Sequence, residues 1–215
     1  VCCAGSRLFL HESISSKVEK KIISRMKKLR FGNPLDKSID MGPLISLEQL
    51  NIVKRLVKSG LEGGADIYQC DMPPLLKGYF YPPTLLKNVS PSMEIFQQEI
   101  FGPVLSSTTF RTPEEAVALA NNSRYGLSAS IWSENINLAL DISPKLKVGV
   151  VWINSTNVFD AAVGFGGYRE SGYGREGGKE GMYEYLEINS DTYKIKKDAK
   201  LFKANISPSR QSLPY

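Results

Sequence analysis

The sequence predicts an α/β fold in which helices cover both faces of a largely parallel, twisted sheet. Short apolar segments rich in β-branched residues alternate along the chain with longer segments whose apolar residues recur at helical spacing. Clusters of Gly and Pro separate the segments, which is typical of the connections in a layered α/β fold. The chain has 215 residues, 42% of them hydrophobic, and is therefore long enough to bury the core of one such domain.

The first half of the chain contains three predicted strands and two predicted helices. The strands are expected at 7–11, 65–70 and 82–86, and the helices at 14–29 and 47–59. Ser13 and Ser46 are the expected N-caps, because a serine hydroxyl accepts a hydrogen bond from a first-turn N–H group. Pro34 prevents the first helix from continuing, and we expect the glycines from Gly60 onward to end the second.

The second half of the chain continues the alternation. Residues 94–104 are expected to run on as an extended segment to Phe110. Thr112, Pro113 and Glu115 then provide an N-cap, a first helical residue and a capping-box carboxylate, so they mark the start of a helix. The remaining pattern predicts strands at 126–132 and 148–154, helices at 135–142 and 179–185, and an extended segment at 184–195.

Composition argues against several classes of function. Three cysteines, two of them adjacent, provide neither a disulfide framework nor metal-ligand spacing, and free thiols favour a reducing, cytoplasmic location. The single histidine, His11, argues against a Ser-His-Asp triad or a histidine-rich metal site within this chain. No apolar run approaches the ~20 residues that a membrane-spanning helix needs. The net charge of +5 equals that of residues 194–215 alone, which argues against nucleic-acid binding by the folded part.

A glycine-rich segment at 172–177 matches the dinucleotide-binding pattern G-x-G-x-x-G. That motif requires a strand directly before it and a helix that begins at its end, because the pyrophosphate of the cofactor binds at the helix N-terminus. The preceding strand is expected to end at Asn154, which leaves an intervening loop. We therefore interpret these glycines as residues of tight turns rather than as a cofactor fingerprint.

The first residues of the chain combine two thiols with small neighbours. Cys2 and Cys3 precede Ala, Gly and Ser at 4–6, which allow a ligand to approach the backbone closely. A thiolate in such surroundings is suited to nucleophilic attack on a carbonyl group. The alternative is that both cysteines are small apolar residues leading into the first strand. The chain begins with Val1 in the middle of this turn, from which we expect it to be the C-terminal part of a longer protein.

Five segments of the chain form a pattern when they are read together. They are CCAGSR at 2–7, EIFGPV at 99–104, NNSRYGLSA at 121–129, GVVWIN at 149–154 and GFGGYRESG at 164–172. In this order and spacing, from residue 1 to about 195, they resemble the aldehyde dehydrogenase superfamily. The resemblance implies a three-layer catalytic domain at 1–183, a strand at 184–196 that pairs with another subunit of a homo-oligomer, and a basic tail or linker at 197–215.

The resemblance implies that Cys2 is the catalytic nucleophile, because it occupies the family position that precedes the residues at 3–7. Its thiolate is expected to attack an aldehyde carbonyl, and its backbone N–H to form half of the oxyanion hole. Hydride transfer to NAD or NADP, followed by hydrolysis of the thioester, completes the oxidation to a carboxylate. The expected partner is a small aldehyde, and no metal is implied.

The resemblance also implies contacts to cofactor and substrate. Glu99 corresponds to the family glutamate that binds the nicotinamide ribose, Phe101 to the aromatic residue that packs against the cofactor, and Gln49 to a weaker nucleotide contact. Phe159 and Phe165 correspond to positions that line the aldehyde tunnel. From the residues alone, core packing explains these two phenylalanines equally well.

Several parts of the family's active site have no counterpart in these 215 residues. The dinucleotide-binding domain, the general-base Glu and the Asn that completes the oxyanion hole precede the nucleophile in the family, so we expect the isolated chain to lack dehydrogenase activity. A non-catalytic scaffold, or an acylating enzyme that passes the acyl group to coenzyme A, are the alternatives. Segments 160–163, 166–172 and 180–186 resemble family 16 in particular, whose members carry a second dehydrogenase-like region downstream.

Overall fold

The computed structural model describes residues 1–73 and 77–186, which contain both strands and helices. The strands are β1 (Arg7–His11), β2 (Asp66–Gln69), β3 (Thr84–Lys87), β4 (Val104–Phe110), β5 (Ser128–Ile131) and β6 (Val150–Ile153). The α-helices are α1 (Glu12–Met26), α2 (Leu47–Glu62), α3 (Glu94–Gln97), α4 (Pro113–Asn121), α5 (Ile136–Ile142) and α6 (Gly178–Tyr183). Most of the expected subunit-pairing strand at 184–196, from residue 187 onward, and the expected tail at 197–215 lie outside the described residues.

The pairing of the strands confirms the α/β prediction. β1, β4, β3 and β2 form a four-stranded sheet in that order. β4 pairs in parallel with both β1 and β3, whereas β2 joins the edge of the sheet antiparallel to β3. β5 and β6 form a second, parallel pair. Because parallel neighbours begin at the same edge of a sheet, the residues before β1 and those before β4 lie side by side.

The main core lies between α2 and the four-stranded sheet. The predicted inward face of α2 is confirmed, with Val53, Leu56 and Val57 at 4% exposure or less. Leu86 of β3 and Phe96 of α3 belong to the same buried cluster. Each such side chain contributes about 1.5–3 kcal/mol by leaving water. Val104, the first residue of β4, belongs to this cluster, and Phe9 of β1 packs against it, so the core supports both strands.

Several helix boundaries differ from the prediction by one to three residues, among them the end of α1 at Met26 rather than at residue 29. The start of α1 and the end of α2 differ for reasons that the local structure shows. α1 begins at Glu12 because His11, rather than Ser13, is the N-cap, and His11 Nδ1 accepts a hydrogen bond from the Ser13 N–H at 3.3 Å. α2 continues through Gly60 to its end at Glu62. A β-carbon on Gly60 would come within 2.5 Å of Ile95 Cδ1, so this glycine permits close packing of α2 on α3 rather than ending the helix.

One prediction between residues 94 and 121 is wrong and another is confirmed. The segment that follows Met93 is not extended throughout, because its first four residues form α3 and bury Ile95 and Phe96, and β4 begins only at Val104. The helix start at Thr112 has the expected capping geometry, since the Thr112 hydroxyl accepts a hydrogen bond from the Glu115 N–H at 3.2 Å.

Candidate active site

The two cysteines at the start of the chain lie in different environments. The Ala4 N–H donates a hydrogen bond to the Val1 carbonyl oxygen at 3.1 Å and closes a turn that leaves Cys2 exposed. Cys3 is buried. A nucleophile must be accessible to its substrate, so Cys2 is the candidate, whereas Cys3 behaves as a small apolar residue of the core.

Glu99 precedes β4, at the same edge of the sheet as the turn that precedes β1. Its side chain is half-buried, and burial raises the pKa of the carboxyl group. The Ser106 N–H of β4 donates to the Ser6 carbonyl oxygen at 3.1 Å, which joins the chain before β1 to the beginning of β4. The structure therefore places the Cys2 turn and Glu99 at the same edge of the sheet.

Phe101 has a ring that is 56% exposed and a left-handed backbone with φ of +52°. Gln49, at the start of α2, holds this backbone: its side-chain Nε2 donates to the carbonyl oxygens of Ile100 at 2.9 Å and of Phe101 at 3.2 Å. A β-carbon on the next residue, Gly102, would come within 2.7 Å of Val53 Cγ2, so the turn packs directly on α2. In this structure Gln49 thus binds the turn at residues 100–102, called the Phe101 turn below. The contact of Gln49 with the nucleotide stays a prediction.

Phe159 and Phe165 form an aromatic cluster with Trp152 of β6, a residue to which the sequence analysis gave no role. The ring centres are 5.1 Å apart for the two phenylalanines, and 5.6 and 6.4 Å from Trp152 to Phe159 and Phe165. Trp152 is buried, and its indole N–H donates to the Val158 carbonyl oxygen at 2.8 Å. Phe159 is 57% exposed, so it lies on the outer side of the cluster rather than in a core.

The glycine-rich segment at 172–177 lacks the strand that a dinucleotide fingerprint requires, since β6 ends at Ile153. Gly172 and Gly177 have φ values of +92° and +68°, which places both in the left-handed region expected for tight turns. Glu176, which lies in this segment, exchanges two backbone hydrogen bonds of 2.7 and 2.8 Å with Phe165 of the aromatic cluster. In the described structure the segment thus supports the backbone of Phe165.

Arg7 and Arg169, for which the sequence predicts no role, both donate hydrogen bonds to the end of α4. Arg7 Nη2 donates to the Ala120 carbonyl oxygen at 2.9 Å, and Arg169 Nη1 donates to the Asn121 carbonyl oxygen at 3.1 Å. Both acceptors belong to the last turn of α4. The partners are 113 and 48 residues apart in the chain, so no local sequence pattern indicates these contacts.

Among residues 1–73 and 77–186, no group of His, Cys, Asp or Glu side chains is arranged to hold a metal ion. Within the same ranges, no helix has both the length and the apolar character needed to cross a membrane. The expectation of a metal-free site stays a prediction.

Comparison with known proteins gives a consistent result along the chain. The model of the aldehyde dehydrogenase family matches residues 1–190. A putative aldehyde dehydrogenase, DhaS, of Bacillus subtilis is 43% identical over 190 residues, which cover 88% of this chain and 38% of that protein. Mouse retinal dehydrogenase 2 is 42% identical over 195 residues, which cover 90% of this chain and 38% of that protein.

Solved structures are similar over the same part of the chain. Betaine aldehyde dehydrogenase from Staphylococcus aureus in complex with NAD+ superposes with a TM-score of 0.83 at 43% identity. The match covers 87% of this chain and 38% of that one. The chain thus spans about two-fifths of the length of the relatives that it matches.

Proposed function

This chain belongs to the aldehyde dehydrogenase family, and we propose that it carries the catalytic thiol of an enzyme that oxidises an aldehyde to a carboxylate with NAD+ or NADP+. One observation carries the proposal: the exposed Cys2 and the half-buried Glu99 share one edge of the sheet, beside the exposed ring of Phe101. A nucleophile, a carboxylate and an aromatic surface in one place suit an aldehyde bound next to a nicotinamide ribose.

Cys2 is the nucleophile in this proposal. Its thiolate adds to the aldehyde carbon, so that an S–C bond forms and the carbonyl π electrons move to oxygen, where the Cys2 backbone N–H can donate a hydrogen bond. A bound NAD+ or NADP+ supplies the acceptor for the hydride that leaves this carbon. Water then attacks the thioester carbon, the C–S bond breaks, and the carboxylate and the Cys2 thiol are released.

The residues at this edge of the sheet fit a nicotinamide cofactor. The Glu99 carboxylate can accept hydrogen bonds from ribose hydroxyls, and the exposed Phe101 ring offers an apolar face. Gln49 acts through Phe101, because its described amide hydrogen bonds go to the backbone of residues 100 and 101. The Staphylococcus aureus relative binds NAD+, which favours NAD+ over NADP+.

Phe159 and Phe165 are the proposed contacts for the organic part of the aldehyde. An exposed aromatic face on a buried indole base suits an apolar or aromatic substrate, because such surfaces lose unfavourable contact with water when the substrate binds. The relatives are named for betaine aldehyde and for retinal, which differ widely in size and charge. The proposal therefore specifies the aldehyde group and an apolar contact surface, but no single substrate.

The proposed activity belongs to a protein in which this chain is joined to a dinucleotide-binding domain that also supplies the general-base Glu and the oxyanion-hole Asn. The chain alone, which spans 38% of the first relative, is expected to be inactive as a dehydrogenase. A homo-oligomer formed through residues 184–196 and a location in the reducing cytoplasm complete the proposal. The domain boundaries after 183 and 196, and the relation to family 16, stay predictions.

The test is aldehyde-dependent NADH formation by the complete protein, measured for Cys2→Ala and for Cys3→Ala as the matched control. We expect Cys2→Ala to abolish the reaction, because no other exposed thiol lies among the described residues. Cys3→Ala should retain most of the activity if it folds, since Cys3 is buried and has no role in the chemistry.

The two alternatives give different results in the same assay. No reaction of the unaltered protein with short aliphatic and aromatic aldehydes, with either cofactor, would favour a non-catalytic scaffold. NADH formation that depends on added coenzyme A and yields an acyl-coenzyme A thioester would identify an acylating enzyme instead. Cofactor reduction with release of free carboxylate supports the proposal.

A further inference from the structure

The C-terminal end of α4 is occupied by cations that come from elsewhere in the chain. The first turn of α4 carries Glu114 and Glu115, which complement the positive end of the helix dipole, but the last turn contains no basic residue. The carbonyl groups of that turn carry partial negative charge. The Asn122 N–H caps Ala118 and Leu119, and the Ser123 N–H donates to Asn121, but each carbonyl oxygen can accept a second hydrogen bond. Arg7 and Arg169 donate to them from two distant segments.

Arg7 immediately follows the Cys2 turn and is held on three sides. Its guanidinium donates to the carbonyl oxygens of Ala120 at 2.9 Å and Leu119 at 3.4 Å. Its Cζ lies 5.2 Å from the ring centres of both Phe9 and Phe96, within the range of a cation–π contact. Burial lowers the pKa of Arg7. The charge is therefore balanced by backbone carbonyls and aromatic faces rather than by a described ion pair with a carboxylate.

Arg169 lies four residues after Phe165 and has a left-handed backbone with φ of +55°. A bulky residue adopts this conformation only when its surroundings require it. Its guanidinium donates to the carbonyl oxygens of Asn121 and Ser123, at the end of α4 and just beyond it. The backbone around it is fixed as well, because the Tyr168 N–H donates to the Gly126 carbonyl oxygen at 2.9 Å.

We propose that Arg7 and Arg169 are positioning residues that form an arginine clamp on the last turn of α4, fixing the Cys2 turn relative to the segment that carries Phe165. The catalytic meaning of the clamp rests on the function proposed above, in which Cys2 attacks an aldehyde held by the aromatic cluster. Neither arginine touches the reacting atoms. Each acts through α4, which is the one element that both guanidinium groups contact.

An arginine is suited to this task because its planar guanidinium donates in several directions at once, whereas a lysine ammonium is a point charge on a flexible stem. Hydrogen bonds from a charged donor contribute about 1.5–3 kcal/mol, so loss of the Arg7 guanidinium should increase local opening of the adjacent turn about tenfold or more. Buried Cys3 lies in that turn and becomes reactive when it opens, which makes its alkylation rate a reporter of the clamp.

The experiment measures the rate at which iodoacetamide alkylates Cys2, Cys3 and Cys70, resolved by peptide mass spectrometry, in the complete protein. Arg7→Met and Arg169→Met remove the guanidinium and keep an unbranched apolar side chain. The control is R111M, because Arg111 is an exposed arginine whose ion pair with Glu12 lies away from α4's last turn. Buried Cys70 reports opening of a different part of the fold.

The clamp predicts that Arg7→Met accelerates Cys3 alkylation about tenfold and Arg169→Met about threefold or more, while Cys70 in both variants and all thiols in R111M react at the unaltered rate. Arg7→Lys and Arg169→Lys should give smaller increases. The proposal is overturned if Arg169→Met leaves the Cys3 rate unchanged, since the two segments are then not coupled. It is also overturned if Cys70 accelerates in parallel with Cys3, since the arginines then serve stability alone.

Alkylation does not require turnover, so its outcome is independent of whether the protein oxidises aldehydes. In the active enzyme the same two variants should lower kcat, while KM for NAD+ stays within about twofold of its unaltered value. An unchanged kcat together with accelerated Cys3 alkylation would contradict the catalytic role of the clamp. Absence of activity in the unaltered protein would contradict the proposed function and leave the structural coupling standing.

Discussion

The hydrogen bonds from Gln49 to the Phe101 turn can be tested by Gln49→Met. Methionine keeps the length and much of the volume of glutamine but removes both amide donors. The carbonyl oxygens of Ile100 and Phe101 then lose their donor at 2.9 and 3.2 Å. Gln97→Met is the matched control, because Gln97 Nε2 donates to the Pro91 carbonyl oxygen, an exposed contact outside the Phe101 turn.

The expected loss of stability follows from two opposing effects. Two neutral hydrogen bonds contribute about 0.5–1.5 kcal/mol each, so their removal costs about 1–3 kcal/mol. The left-handed backbone of Phe101 stores about 1–2 kcal/mol of strain, part of which is released when the turn relaxes. The free energy of unfolding should therefore fall by only about 1 kcal/mol. The larger consequence is local, because Phe101 no longer needs to stay in its left-handed conformation.

Urea unfolding of the complete protein measures the loss of stability, and steady-state kinetics measure the local consequence for NAD+ binding at Phe101. KM for NAD+ should rise about fivefold or more, since about 1 kcal/mol of the binding energy is then used to order the turn. Gln97→Met should change neither quantity beyond about 0.5 kcal/mol. The reasoning is refuted if Gln49→Met lowers stability as expected but leaves KM for NAD+ unchanged, because Phe101 would then not depend on Gln49 for its position.

Three further predictions concern packing and pH. Gly149→Ala should lower the free energy of unfolding by about 3 kcal/mol, measured in urea, because its β-carbon would clash with the carbonyl oxygen of Gly166, a backbone atom that cannot rotate away. Burial raises the pKa of Glu99, so its charged form costs stability above the unfolded pKa of about 4.3; Glu99→Gln should raise the urea midpoint at pH 7 and lose this advantage below about pH 4. Arg30 lowers the pKa of Asp40 from 3.8 to about 2, so Asp40→Asn should be less stable than the unaltered protein at pH 7, with a difference that disappears as pH falls through about 2.

Much of the fold follows from local patterns in the sequence. Helical spacing identified the inward face of α2, and Thr112 with Glu115 marked the start of α4, because both features depend on residues within one or two turns of each other. The errors have a different origin. Gly60 was expected to end a helix, but its role is set by Ile95, which is distant in the chain and close in space. The short helix α3 was missed for a similar reason, since burial of adjacent apolar residues has no single periodicity.

The candidate site likewise contains residues that local motifs predict and contacts that they do not. Cys2 and Glu99 were predicted from motifs that precede strands, and the parallel pairing of β1 with β4 brings those motifs together. The contact of Gln49 with the Phe101 turn and the placement of Arg7 on α4 depend instead on residues separated by 52 and 113 positions. Their side chains carry no local signature, because a glutamine or an arginine on a half-exposed surface has many possible partners.

Strained backbone conformations also occur at and near the candidate site residues. The non-glycine residues with positive φ in the described ranges are Asn88, Phe101, Asn154, Asn157 and Arg169. Asparagine tolerates the left-handed conformation, so Phe101 and Arg169 are the two that require an explanation. Each is held by hydrogen bonds to distant residues, Phe101 by Gln49 and Arg169 by α4. Strain of about 1–2 kcal/mol persists at such positions only where the surrounding structure fixes them. Phe101 is itself a proposed cofactor contact, and Arg169 lies four residues after Phe165, a proposed substrate contact. Strained backbone at these two positions is what the proposed function leads us to expect, because local sequence rules are most often broken at functional sites.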